Sequence, residues 1–156
     1  MAAFTDFAEN KLVDFIFRAQ ALGITGATAA AATGPATLYV GLFTTTPTDA
    51  GGGVEVTGGS YARVAVTSSL TAWAGTQSAG STTASTGTNG TTSNNGAITF
   101  PAPTAAWGVI TSHAVFDATT GGNPIFYGAL AVSKTVNSGD PGPSFAAAAL
   151  TFQIDN

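Results

Sequence analysis

Residues 109–132 read VITSHAVFDATTGGNPIFYGALAV. From Val109 to Asp117 the side chains alternate, with Ile110, Ala114 and Phe116 on one face and Val109, Thr111, His113 and Val115 on the other. A period of two marks a strand, because successive Cβ atoms of an extended chain point to opposite sides. Thr120-Gly121-Gly122-Asn123 then makes a tight turn, since glycine and asparagine accept the backbone angles such turns need. Pro124 to Val132 resumes as an apolar strand carrying Ile125, Phe126, Tyr127 and Leu130.

The same reading extends outward in both directions. Upstream, Ala97-Ile98-Thr99-Phe100 is a strand ended by Pro101 and Pro103. Tyr61 to Ser68 alternates, with Ala62, Val64 and Val66 facing one way, and Leu70 and Trp73 continue an extended stretch. Val54 and Val56 make a brief strand, Thr44 to Gly53 a long turn, and Leu38 to Phe43 a short apolar run suited to a buried strand. Downstream, Asn137 to Pro143 is a turn and Phe145 to Ile154 closes the chain, with Leu150, Phe152 and Ile154 in phase. The expected fold is therefore mainly β: an antiparallel β-sandwich or barrel of about seven short strands.

The exception is the start of the chain. Residues 5–22 read as an α-helix capped by Thr5, with Asp6 and Glu9 in the first turn, where negative charge suits the helix dipole. Ala8, Leu12, Phe15, Ile16, Ala19 and Leu22 form one apolar face, and Asp14 and Arg18 an i, i+4 pair opposite. Val13 and Phe17 form a second apolar stripe, and Phe4 and Phe7 add to the apolar load. That exceeds what one small core needs from a helix, so Phe4, Phe7, Val13 and Phe17 are candidate contacts with another subunit. Burial of the whole helix in its own domain is the competing reading.

Residues 23–36 form a small-residue connector. Residues 75–96, GTQSAGSTTASTGTNGTTSNNG, hold no apolar side chain larger than alanine. This segment is either a mobile loop or an extended insertion pinned against another chain. Asn89-Gly90 and Asn95-Gly96 are turn dipeptides within it. The expected organisation is a single domain over 1–156, with the helix at 5–22 and the β domain at 37–156 containing the insertion at 75–96.

Composition bounds the function. Only 8% of the 156 residues are charged, with 4 Lys/Arg against 8 Asp/Glu for a net charge of −4. Lys11, Arg18, Arg63 and Lys134 are scattered, which argues against nucleic acid and anionic membranes, since both need clustered cations. No apolar run approaches the ~20 residues that span a bilayer, and the N-terminus lacks the pattern of a secretory signal. Cysteine is absent, which excludes disulfides, thiolate metal sites and thiol nucleophiles. A surface built from Thr, Ser, Gly, Ala and Asn suits a protein packed against neighbours, because burying such groups costs far less than burying ions.

No catalytic signature emerges. His113 is the only histidine, and Ser112 beside it points to the opposite face of a strand; no G-x-S-x-G elbow is present. Of the eight carboxylates, Asp6, Glu9 and Asp14 fall on the helix and Asp49, Asp117 and Asp140 flank glycine turns, where capping and turn chemistry accounts for them. Calcium at Asp49 to Glu55 lacks an oxygen-rich motif. Trp73, Trp107, Tyr39, Tyr61 and Tyr127 could stack on sugars, but aromatics in a β-rich chain more often fill the core. No cofactor or metal is expected.

Several separated blocks carry a resemblance. They include Leu38-Tyr39-Val40-Gly41-Leu42-Phe43-Thr44, Pro47 to Gly53, Gly58-Gly59-Ser60-Tyr61-Ala62-Arg63, and Ala97-Ile98-Thr99-Phe100-Pro101. Ala106-Trp107-Gly108, Phe116-Asp117-Ala118, Gly121-Gly122-Asn123, Phe126-Tyr127-Gly128-Ala129-Leu130 and Val136 to Asp140 complete the set. In order after an N-terminal helix, they resemble a widespread family of small tailed-bacteriophage virion proteins of tail-fibre-like kind; the insertion at 75–96 departs from its shorter members. The resemblance implies a non-enzymatic structural component of the virion; with no signal pattern read at the N-terminus, assembly in the host cytoplasm is expected.

No heptad shaft or long β-repeat is present, so this chain is not itself an extended fibre. The position expected from composition is capsid decoration: a homo-oligomer bridging major capsid protein or other virion subunits. A tail or tail-fibre place, with receptor or glycan binding, is the alternative.

Overall fold

The computed structural model describes residues 4–23 and 34–154. One helix and nine short strands follow in order: α1 (Asp6–Arg18), β1 (Thr37–Thr45), β2 (Val54–Glu55), β3 (Val64–Thr67), β4 (Thr91–Ser93), β5 (Ile98–Thr99), β6 (Gly108–Phe116), β7 (Pro124–Val136), β8 (Ser144–Phe145) and β9 (Thr151–Gln153). The fold is mainly β with antiparallel sheets and one N-terminal helix, and no sheet among the described residues closes into a barrel. Most of the connector expected at 23–36 lies outside the described residues. The described residues gather into two compact units, those within 1–37, 67–98 and 145–156 in the first and those within 38–66 and 99–144 in the second.

The first unit is built on α1. Thr5 caps the helix, its side chain accepting from the Ala8 amide at 3.4 Å. The helix was expected to reach residue 22 but stops at Arg18. Ala19 turns left-handed (φ 53°), and the Gln20 amide donates to the Asp14 carbonyl at 3.0 Å, closing the last turn. The burial pattern also departs from the expected face. Leu12, Phe15 and Ile16 are half-buried, whereas Val13 and Phe17 are fully buried. The Phe17 ring stacks on Phe152 at 5.1 Å and meets Trp73 edge-on at 5.0 Å. This aromatic trio is the unit's apolar centre. Residues 69–72 turn into it rather than running extended, with the Trp73 amide donating to the Ser69 carbonyl.

The Ser/Thr-rich insertion, expected as a mobile loop or as pinned against another chain, lies on the polar side of α1 in its own chain. Asp14 accepts from the Ser85 amide at 3.0 Å, the Ser85 hydroxyl at 2.6 Å and Arg18 at 2.6 Å. Arg18 also donates to the Thr83 carbonyl. Asn10 accepts from the Thr76 hydroxyl and donates to the Gly87 carbonyl. The pair expected opposite the main apolar face is thus buried, satisfied by a segment rich in small hydroxyl donors. Asn94 organises the far end. Its side-chain amide donates to the carbonyls of Gly96 and Ala146, and its oxygen accepts from the Leu150 amide at 2.9 Å. Beside it β4 and β9 pair antiparallel, from Thr91↔Gln153 to Ser93↔Thr151.

The second unit is a twisted sheet in the order β2-β1-β6-β7, with β3 also on β1. Tyr39↔Phe116 through Phe43↔Ser112 set the register of β1 against β6. Both faces of these central strands are buried: Val40, Leu42, His113 and Val115 on one, Phe43, Ser112, Ala114 and Phe116 on the other. The edge strand β7 is irregular. It carries one extra residue, Ile125, opposite the Val115/Phe116 step, and its pairing jumps from Ala129↔Ser112 to Lys134↔Ile110. Four residues, 130–133, therefore oppose Thr111 alone. Bulges of this kind bend an edge away from straight pairing with another strand.

Candidate functional site

The sequence proposed a contact surface on α1, and its four residues separate. Phe4 and Phe7 are 54% and 57% exposed, at the start of the helix, with the Lys11 ammonium 5.8 Å from the Phe7 ring. Val13 and Phe17 are both 0% exposed. Within this chain both are therefore covered, Phe17 by Trp73 and Phe152. The i, i+4 stripe was real, but it is the core stripe.

In the second unit the sheet carries a polar cluster that sequence reading missed. Gly41 leaves a gap on β1: a Cβ built there would lie 2.9 Å from Glu55 Oε1 and 3.2 Å from the Tyr61 hydroxyl. Into that gap come three side chains. Arg63 binds Glu55 in bidentate fashion, Nε to Oε1 at 2.8 Å and Nη2 to Oε2 at 2.7 Å. The Tyr61 hydroxyl donates to Glu55 Oε1 at 2.9 Å and accepts from the Leu42 amide at 2.8 Å. Arg63 Nη1 also donates to the carbonyls of Ala118 and Gly121, and its guanidinium lies 3.4 Å from the centre of the Phe116 ring. Burial, reinforced by the neighbouring Glu55 carboxylate, pushes the Tyr61 phenol well above its ordinary range.

Two clefts flank this cluster. One, of about 310 Å³, is lined by Phe43, Phe116, Gly52 and Gly122; the other, of about 350 Å³, by Thr57, Tyr61, Ala62 and Thr120. Glu55 and Arg63 border both. The pair is occupied with itself and with backbone carbonyls, which fits a clamp joining β2, the segment leading into β3 and the 117–122 turn rather than a proton-transfer centre. The only sequence cue was the order Glu55, Tyr61, Arg63 around a Gly-Gly turn, and nothing local pairs them.

The other residues singled out by sequence are dispersed. His113 is buried on β6, and burial lowers its pKa to about 4, so it is neutral near pH 7. Its neighbour Ser112 is buried on the opposite face. Asp49 accepts from the Tyr127 hydroxyl at 2.5 Å while Glu55 is taken by Arg63, so the turn between them does not gather its carboxylates. Asp117 accepts from the amide and side chain of Asn123, which holds its carboxyl below the usual range and closes the Gly121-Gly122 turn. No group of three or more metal-ligating side chains converges among the described residues. Trp73 and Trp107 are buried, and Trp107 meets Tyr61 edge-on at 5.3 Å while donating to the Gly59 carbonyl. Among the described residues no helix is long and apolar enough to cross a membrane.

Comparison with known proteins gives one assignment. No curated protein matches the chain. Residues 3–153 match the family described as podophage GP4 fiber I protein gp80. The match runs through both compact units and includes the 75–96 segment. The chain therefore belongs to this family of tailed-phage virion structural proteins, which is fibre-like and β-rich.

Proposed function

We propose that the protein is a non-enzymatic structural subunit of a phage fibre, working as a homo-oligomer and docking to another virion protein through Phe4 and Phe7. The observation that carries this reading is the family match over residues 3–153. Two features of the chain support it. A composition with 8% charged residues lowers the desolvation cost of packing subunit on subunit. The exposed aromatic pair at the start of α1 offers the kind of anchor that dominates protein contacts. The saturated Glu55–Arg63 pair and the buried, neutral His113 support a framework role rather than catalysis.

Capsid decoration is the second reading, favoured by the charge-poor surface, which would suit a subunit bridging neighbours in a shell lattice. Copy number and position separate the two. Quantitative mass spectrometry of purified particles, with antibody labelling in electron micrographs, should find few copies and label at the tail. Hundreds of copies spread over the head would overturn the fibre reading in favour of decoration.

A further inference from the structure

The insertion carries two Asn-Gly pairs in different settings. Asn89 is exposed, and its Oδ1 accepts from the Thr91 amide at 3.3 Å, so the side chain folds forward along its own backbone over Gly90. Gly90 has no side chain to hinder approach to its nitrogen. Asn95 is held differently: its amide N–H donates to the Ala72 carbonyl at 2.8 Å, its Nδ2 donates to the Ser81 carbonyl, and its Oδ1 is buried.

We propose that Asn89 is a site of spontaneous deamidation, and that the native fold directs this chemistry to Asn89 over Asn95. The Gly90 nitrogen attacks Cγ of Asn89; the new N–Cγ bond closes a five-membered imide as Cγ–Nδ2 breaks, and ammonia leaves with the proton from the Gly90 amide. Water then adds to either imide carbonyl and breaks its bond to nitrogen, leaving an aspartyl or isoaspartyl residue at position 89. Asn side chains are thermolabile for this reason. At Asn95 the same attack first requires breaking the contacts with Ala72 and Ser81.

The position gives the modification a structural consequence. Gly90 sits against the buried Glu9 carboxylate, to which a Cβ at Gly90 would come within 3.1 Å, and its carbonyl accepts from the Ile154 amide at 3.1 Å. Pairing of β4 with β9 starts at the next residue, Thr91. An isoaspartyl linkage adds a main-chain methylene just before that register point, and either product adds a negative charge at position 89, one residue from the Gly90–Glu9 contact. Ageing at Asn89 therefore loosens the first unit.

The test is to hold the purified full chain in mildly alkaline buffer at physiological temperature, natively and in urea, and follow both asparagines by peptide-mapping mass spectrometry with electron-transfer fragmentation. In the native sample Asn89 should convert at least about tenfold faster than Asn95, a difference of ~1.4 kcal/mol in barrier, and in urea the two rates should converge. Equal native rates, a faster Asn95, or an Asn89 that stays intact while the urea sample converts would each overturn the site. The Asn89→Gln variant, which would need a larger ring, should keep its thermal midpoint over the same period while the unmodified sequence loses midpoint in step with conversion. Conversion with an unchanged midpoint would overturn the structural consequence.

Discussion

Gly41 and His113 show how single positions on the central strands decide what the sheet can carry. Gly41 has a Cβ-sized space filled by Glu55 and Tyr61. Gly41→Ala should destabilise the protein by about 2 kcal/mol, the scale of an overpacked core position, read as a lower denaturant midpoint at unchanged m-value. His113 makes a pH prediction. Its folded pKa of about 4 lies below its ordinary 6.5, so between those values the unfolded chain binds more protons than the native one. Its contribution is complete above pH 6.5 and is lost as pH falls toward 4, amounting to at most about 3.5 kcal/mol at ~1.4 kcal/mol per unit. Unfolding curves from pH 7.5 to 4 should show this slope, and His113→Gln should flatten it relative to the parent. An unchanged slope in the variant would assign the acid sensitivity to the carboxylates instead.

At the scale of elements, α1 is bound on two sides by different forces. Its apolar side is held by Phe17 among Trp73 and Phe152, and its polar side by Asp14 and Arg18 under the insertion. Asp14→Ala leaves the Arg18 guanidinium buried without its carboxylate, which typically costs 3–5 kcal/mol. Because Asp14 also holds the Ser85 amide and hydroxyl, the loss should fall first on residues 75–90. Hydrogen exchange there should rise before it rises in β6. Replacing both members, Asp14→Leu with Arg18→Met, should recover part of the loss by removing the stranded charge. The same element shows where periodicity misleads. Helical spacing correctly groups Val13 with Phe17, but cannot say which of two apolar stripes meets the core. The insertion decides that: by covering Asn10, Asp14 and Arg18 it makes a polar face a buried one.

For the molecule as a whole, the testable statement concerns assembly. Phe4 and Phe7 lie outside both apolar cores, so Phe4→Asp with Phe7→Asp should leave the circular dichroism spectrum and thermal midpoint of the isolated protein nearly unchanged, within about 0.5 kcal/mol for exposed positions. Incorporation into particles should fall at least about tenfold, the equivalent of ~1.4 kcal/mol of contact energy. Phe17→Asp should do the reverse of what a surface stripe would do, unfolding the first unit before any assembly step. A double variant that assembles normally would remove Phe4 and Phe7 from the interface.

What the amino-acid order determined by itself was local. Alternation at Val109–Phe116, the Gly121-Gly122-Asn123 turn, the Thr5 cap and the near absence of charge follow from neighbours a few residues apart, and they sufficed for a β-rich chain with one helix and for its family resemblance. Tertiary structure alone decided how distant polar residues are spent. Glu55, Tyr61 and Arg63 meet over Gly41, Asp14 finds Ser85 across 71 positions, and Asn94 ties Ala146 to Leu150. A serine or threonine carries no periodic hydrophobic signal. Whether its hydroxyl faces water or satisfies a buried carboxylate depends on which distant segment the folded chain brings to it.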